Sequence, residues 1–248
     1  VASKPLQFLR DVKQLDLDSY DLVLTDFDPV TAWAGRIRKK KVIGIGHQYA
    51  FHYPIPQHRA DVAQKAIMKY FAPANTRVGL HWHHFDQPIL PPIAPVDKRR
   101  NEIFRKMYVV YLPFESIADI RDLLLTFDQY KFLIYHPDAI PGEERHLHWF
   151  RPGRETFQRD IHRCEGVICN AGFELASEVL QLGRKLLVKP VQGQSEQYSN
   201  ALAIDLLGYG HVMYRLDRQK LSHWLPSSCT TQIRYPNVAP ALCQWILD

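Results

Sequence analysis

The stretch Gly166–Gly210, GVICNAGFELASEVLQLGRKLLVKPVQGQSEQYSNALAIDLLGYG, reads as strand, tight turn, helix, strand, loop and helix. Val167-Ile168-Cys169 is an apolar run that ends at Asn170-Ala171-Gly172, and a helical pattern begins at Phe173 with Glu174 in its first turn. A glycine in such a turn lets the backbone come close to a ligand. The first N–H groups of the helix lack intrahelical partners and give the turn the polarity that holds a phosphate. Glu178 follows Glu174 by one turn on the same helix face. Gly183 stops the helix at its C′ position, and Lys185 to Val188 forms a second buried strand ending at Pro190. Gln192-Gly193-Gln194 is a polar loop leading to a helix from Glu196 to Leu207, which carries Glu196 and Gln197 at its start and which Gly208 closes. Two consecutive strands therefore end in polar residues at one edge of a parallel sheet, the edge at which open α/β folds bind ligands.

The rest of the chain extends this pattern in both directions. Tyr20 to Thr25 reads as a strand, followed by Asp28 as N-cap and Pro29 as first helical residue of a helix through Arg38. Val42 to Ile45 is the next strand and runs into Gly46-His47-Gln48, so the opening is βαβ-like and predicts a parallel sheet. A helix is expected from Arg59 to Phe71 and a strand from Thr76 to Trp82, and the stiff Pro88 to Pro95 stretch makes the expected interdomain linker. Beyond it come strand Tyr108 to Leu112, helix Ser116 to Phe127 opened by a Ser116-x-x-Asp119 capping pattern, and strand Phe132 to Tyr135. A short strand near His146 to Phe150 and helix Glu155 to Arg163 lead into the quoted segment. Strand His211 to Tyr214, helix Asp217 to Trp224 and a last helix near Val238 to Leu247 follow it. The expected fold is α/β with two Rossmann-like domains, residues 1–95 and 96–248. The first is short for its type, and the chain opens on Val1, so an N-terminal portion of that domain is expected to lie outside this sequence.

Composition narrows the function classes. With 46% hydrophobic and 23% charged residues among 248, this is the profile of an ordinary globular chain. No apolar run reaches the ~18 residues of a membrane span and no leader with a cleavable apolar stretch opens the sequence, which predicts a cytoplasmic protein. Cys164, Cys169, Cys229 and Cys243 form no C-x-x-C pair, and the histidines of His81-Trp82-His83-His84 and His146-Leu147-His148 have no carboxylate at ligand spacing, so no metal is expected. The net charge of +5 includes the clusters Arg36 to Lys41 and Lys98-Arg99-Arg100. These lack the interleaved aromatics of a single-strand binder and the recognition helices of a DNA reader, so no nucleic acid is expected as a partner. A solvated helix end fits the first cluster, and an anionic membrane surface is the partner it would suit.

The quoted segment resembles the donor-binding signature of GT-B-fold glycosyltransferases, the group that holds the peptidoglycan N-acetylglucosaminyltransferase and the UDP-glucuronosyltransferases. The matching elements are Gly172, Glu178, Gly183 with Pro190, Glu196-Gln197 and Asn200-Ala201, co-linear over the whole segment. Tyr111-Leu112-Pro113-Phe114-Glu115 and Asp26-Phe27-Asp28-Pro29 look more loosely like a bacterial and archaeal branch of that group. The resemblance implies transfer of a sugar from a nucleotide-sugar donor, most simply a UDP-sugar, to an acceptor that the sequence does not identify, with no cofactor. It implies that Gly172 and Phe173 cradle the diphosphate, that Glu178 accepts from the ribose hydroxyls, and that Glu196 and Gln197 hold the sugar, with Asn170 and Gln194 as further donor-binding residues. His47 and Glu115 are the candidates for facing the cleft of a two-domain enzyme. The catalytic base stays unassigned, because in relatives it comes from a Gly-rich loop of the expected N-terminal portion. A lipid-linked acceptor would place the protein at the inner face of a membrane. A nucleotide-sugar-binding or partner subunit without catalysis and a sugar-nucleotide epimerase remain the alternatives, whereas a dinucleotide oxidoreductase lacks its G-x-G-x-x-G after any predicted strand.

Overall fold

The computed structural model describes residues 5–58, 66, 70–94, 102–228 and 230–248. It divides into two compact units, residues 1–93 with 236–248 and residues 94–235. Each has its own sheet.

In the first unit, helix α1 (Pro5–Gln14) precedes strands β1 (Leu22–Thr25), β2 (Lys41–Gly46), β3 (Thr76–Leu80) and β4 (Ile89–Leu90), which are all parallel and lie side by side in chain order. Helix α2 (Pro29–Ile37) starts where the sequence says it should. Asp28 accepts a hydrogen bond from the Thr31 N–H at 2.7 Å, and Pro29 supplies the preset φ of the first turn. A short helix α3 (His47–Ala50) packs tightly on the sheet because two strand residues opposite it are glycines. A Cβ on Gly44 would fall 2.2 Å from the Tyr49 ring, and one on Gly79 would fall 2.7 Å from the Ala50 Cα. The Pro88 to Pro95 stretch, expected to be linker, contributes β4 to this sheet before the chain leaves the unit. An edge strand tolerates flanking prolines because its outer N–H side needs no partner. The helix expected over 59–71 falls largely outside the described residues, as do Lys98, Arg99, Arg100 and Cys229.

The second unit is a seven-stranded sheet in the order β11-β10-β9-β5-β6-β8-β7. Its strands are β5 (Phe104–Tyr111), β6 (Lys131–Tyr135), β7 (Gly142–Glu144), β8 (Leu147–Phe150), β9 (Cys164–Asn170), β10 (Lys185–Lys189) and β11 (His211–Val212). All pairings are parallel except β7 with β8. Helices α4 (Ile117–Leu124), α5 (Arg154–Arg163), α6 (Phe173–Gln181), α7 (Ser195–Leu206) and α8 (Arg218–Trp224) link or follow the strands. From β5 the chain winds one way through β6 and β8, and from β9 it winds the other way through β10 and β11. Right-handed crossovers then put helices on both faces. On one face Ile120, Leu123 and Leu124 of α4 share a core with Leu221 and Trp224 of α8, over Tyr108, Phe132, Ile134 and Leu187 of the sheet. On the other, Phe157 of α5 lies against Tyr111 and Tyr135, and α6 buries Phe173, Ala176, Val179 and Leu180. Among these, each fully buried Leu, Ile, Val or Phe side chain stabilises the fold by roughly 1.5–3 kcal/mol.

The helix ends follow local chemistry. Ser116 accepts from the Asp119 N–H at 3.1 Å and Asp217 from the Lys220 N–H at 3.0 Å, while Gly183 and Gly208, both at φ +64°, close α6 and α7. Cys164 and Cys169 are buried free thiols and Cys243 is an exposed one. The closing helix α9 (Ala239–Leu247) groups with the first unit.

Candidate active site

The reversal of winding makes β5 and β9 neighbours whose following segments part to opposite faces of the sheet. Tyr111 pairs with Cys169, and Asn170 pairs with Lys189 on the next strand, so three strand ends meet at one edge. This is the topological switch point, where an open α/β sheet leaves a crevice for a ligand.

The turn after β9 is fixed from both sides. The Gly172 N–H donates to the Asn170 carbonyl at 2.8 Å, Asn170 Nδ2 donates to the Lys189 carbonyl at 2.9 Å, and Asn200 Nδ2, from fully buried Asn200, donates to the Ala171 carbonyl at 2.9 Å. Asn170 is itself 7% exposed, and its Oδ1 has no hydrogen-bond partner among the described residues. Gly172 is the N-cap of α6 at φ −73° and ψ 147°, a conformation open to any residue, and a Cβ there would meet nothing within 4 Å. Neither backbone nor packing demands glycine here. A cap without a side chain keeps the helix end accessible, in contrast to Asp28, Ser116 and Asp217 on α2, α4 and α8. Phe173 is buried as the first residue of the helix.

One turn along α6, Glu178 is half-buried and accepts from Gln158 Nε2 of α5, which lies 3.1 Å from each carboxylate oxygen. In the loop after β10 the two glutamines expected to bind the donor, Gln194 and Gln197, are engaged with the loop itself. Gln197 Oε1 accepts from the Val191 N–H at 3.0 Å, and Gln197 Nε2 donates to Gln194 Oε1 at 3.1 Å. Glu196 stands in the first turn of α7, whose N-cap Gln194 provides no side-chain cap. Glu115, after β5, pairs with Lys189 at the end of β10, Nζ to Oε1 at 2.5 Å, and its carbonyl accepts from His136 Nε2 at 3.0 Å. Both residues line an open depression of about 690 Å³ together with Gln192, Tyr198, Tyr214 and Arg218. The Tyr198 and Tyr214 rings stack with centroids 6.0 Å apart.

Asn170, Gly172, Phe173, Glu178, Gln194, Glu196, Gln197 and Glu115 thus all belong to the second unit, on elements that start at this edge. His47 belongs to the first unit, where it is 3% exposed with Nδ1 2.9 Å from the Leu80 carbonyl and its ring 5.3 Å from that of His81. Burial, with His47 and His83 nearby, pushes His81 down to about 3. Among the described residues no three His, Cys, Asp or Glu side chains gather as a metal site. The sequence reading passed over Lys189 and Gln158. A lysine closing the apolar run Leu186-Leu187-Val188 was a visible signal. Gln158 gave none, because it arrives from α5, twenty residues before the glutamate it meets.

Solved structures with this fold include the glycotransferase of kitacinnamycin, with a TM-score of 0.62 at 12% identity over 92% of this chain and 76% of that one. They also include MurG of Acinetobacter baumannii, with a TM-score of 0.57 at 14% identity over 99% of this chain and 79% of that one. A third is Arabidopsis thaliana UGT89C1 complexed with UDP-L-rhamnose, with a TM-score of 0.52 at 12% identity over 89% and 64%. The fold is that of the GT-B glycosyltransferases. The model of glycosyl transferase family 1 matches residues 4–227, and the chain belongs to that family. No curated protein matches it in sequence.

Proposed function

We propose that the protein transfers a sugar from a UDP-sugar donor, held at the switch point of the second unit, to an acceptor hydroxyl. The observation that carries this reading is Gly172: a helix start with no capping side chain, beside a turn that three strand ends converge on, where a Cβ would meet no atom within 4 Å. In this reading the donor diphosphate sits on the first turn of α6 at Gly172 and Phe173, with Asn170 fixing the turn. Glu178 accepts from the ribose hydroxyls, and Glu196 with Gln197 and Gln194 faces the sugar. Lys189, its charge balanced by Glu115, offers its remaining ammonium N–H donors beside the turn. The acceptor oxygen attacks the anomeric carbon as the bond to the diphosphate oxygen breaks, and its proton passes to a general base. Negative charge then grows on the leaving diphosphate, where the helix end and Lys189 stabilise it most. The UDP-L-rhamnose bound by the plant neighbour supports a uridine donor.

For the acceptor, the reading is a molecule presented at an anionic membrane surface. Exposed Ile37 lies among exposed Arg36, Lys39 and Lys41, and α1 exposes Leu6 and Leu9 with Arg10 and Lys13, the mixture that binds such a surface. Arg38 and Lys40 of the same cluster instead bond backbone carbonyls of Val12, Lys13 and Asp18. No described helix is long and apolar enough to cross a membrane.

The test of the donor reading is calorimetric titration of UDP and of UDP-sugars into wild type, Glu178→Ala and Glu196→Ala. Glu178→Ala should weaken UDP and UDP-sugar alike by ~1.5–3 kcal/mol, and Glu196→Ala should weaken only the UDP-sugar. Wild type that binds neither ligand would overturn the reading.

A further inference from the structure

We propose that Gln158 sets the pentose tolerance of the donor site, so that it accepts 2′-deoxyribonucleotide as well as ribonucleotide diphosphates. The inference rests on the ribose-binding role proposed for Glu178. Gln158 reaches Glu178 from α5, with its Nε2 3.1 Å from Oε1 and 3.1 Å from Oε2. Both side chains are half-buried. Both oxygens lie within the reach of one amide N–H, and an ionised carboxylate has about four lone-pair sites, so this shared hydrogen bond satisfies part of each oxygen before any nucleotide arrives.

The consequence depends on which group the carboxylate would lack. If Glu178 relied on the two ribose hydroxyls alone, a 2′-deoxy ligand would leave one oxygen short of its donor in a partly dry setting. A site built to bond a hydroxyl rejects the analogue without it for that reason. With the Gln158 amide bridging both oxygens, loss of the 2′-hydroxyl removes one bond but orphans no oxygen. The same bridge fixes the plane of the carboxylate, so the 3′-hydroxyl meets a preset acceptor. Among the described residues no other side chain bonds the Glu178 carboxylate.

The probe pair is UDP and 2′-deoxy-UDP, which differ in one hydroxyl, titrated into wild type, Gln158→Leu, Gln158→Met and Glu178→Ala. Wild type should bind the deoxy ligand within about tenfold of UDP, and both Gln158 variants should widen that ratio by roughly another tenfold. Both affinities come from one preparation, so partial misfolding of a variant cancels in the ratio. An unchanged ratio in both Gln158 variants, with UDP binding still impaired by Glu178→Ala, would overturn this inference and leave the donor reading standing. Unimpaired UDP binding by Glu178→Ala, or no UDP binding by wild type, would overturn the ribose assignment and this inference with it.

Discussion

Strand β10 carries a lysine at each end, Lys185 and Lys189, on the same face of the sheet because they are four residues apart. Both are buried with a glutamate partner, and there the likeness stops. Lys185 is 1% exposed and donates to the Leu225 carbonyl at 2.7 Å and to the Tyr108 hydroxyl at 3.2 Å, with Nζ 4.9 Å from the Trp224 ring centroid and 3.9 Å from Glu165. It closes the amino edge of the sheet, where its ammonium is bonded from within the fold. Lys189 lies at the carboxyl edge, paired with Glu115 on the wall of an open depression, next to a turn whose asparagine keeps an oxygen unpartnered among the described residues. The same side chain on the same strand is a structural element at one end and a candidate ligand contact at the other. Winding decides which, since the helices that leave the carboxyl edge turn their N-termini toward the crevice.

The largest effect expected from this contrast is on stability. Lys185→Ala strips a buried cation from its partners and should cost ~3–5 kcal/mol in urea unfolding, with UDP affinity of the folded protein unchanged. A tenfold loss of UDP affinity with unfolding unaffected would erase the distinction between the two edges. Next in size is the double change Lys189→Met with Glu115→Gln, which removes both charges at once and so leaves neither orphaned. It should weaken UDP by about 1.5–3 kcal/mol in titration while moving the unfolding midpoint little. A smaller effect tests a feature of the carboxyl edge that is structural: Ser116→Ala deletes the cap of α4 and should cost ~1 kcal/mol of stability with no change in UDP affinity.

The smallest effect is the pH dependence that burial of Lys185 creates. Desolvation holds its folded value below the ordinary 10.5, with Glu165 opposing the shift. Between the lowered value and 10.5 the unfolded chain binds the proton and the folded chain does not, so stability rises with pH across that window. Urea midpoints followed in steps up to pH 10.5 should therefore climb in wild type relative to Lys185→Met once that window is entered. A difference that stays flat or shrinks would show that the lysine is not held in this way.

Much of the fold could be read from the chain because short-range chemistry decides it. Asp28-Pro29, Ser116 with Asp119, Gly183 and Gly208 sit at the helix ends they predict, and the apolar runs at β2, β6, β9 and β10 are strands. What escaped were elements fixed by distant partners. Strand β7 is Gly142-Glu143-Glu144, without an apolar residue, and exists because it pairs with β8 while Arg121 holds Glu144 with two nitrogens. Strand β4 is two residues between prolines, and β5 begins at Phe104, earlier than expected, because charged Arg105 and Lys106 mask its start. In the candidate site, the order of Gly172, Glu178, Glu196 and Gln197 was legible. The Gln194–Gln197 bond and the reach of Gln158 to Glu178 were not, since both depend on side-chain placement that spacing does not encode.

If Gly172 leaves a helix end open for a diphosphate, Gly172→Thr should close it. The backbone at φ −73° accepts threonine without strain, the Cβ enters open space, and the hydroxyl can cap α6. UDP titration and thermal unfolding of this one variant should show a fold as stable as wild type or slightly more so, with nucleotide affinity reduced at least about tenfold because the new cap takes the N–H groups the diphosphate needs. Wild-type UDP affinity in a folded Gly172→Thr protein would contradict the account.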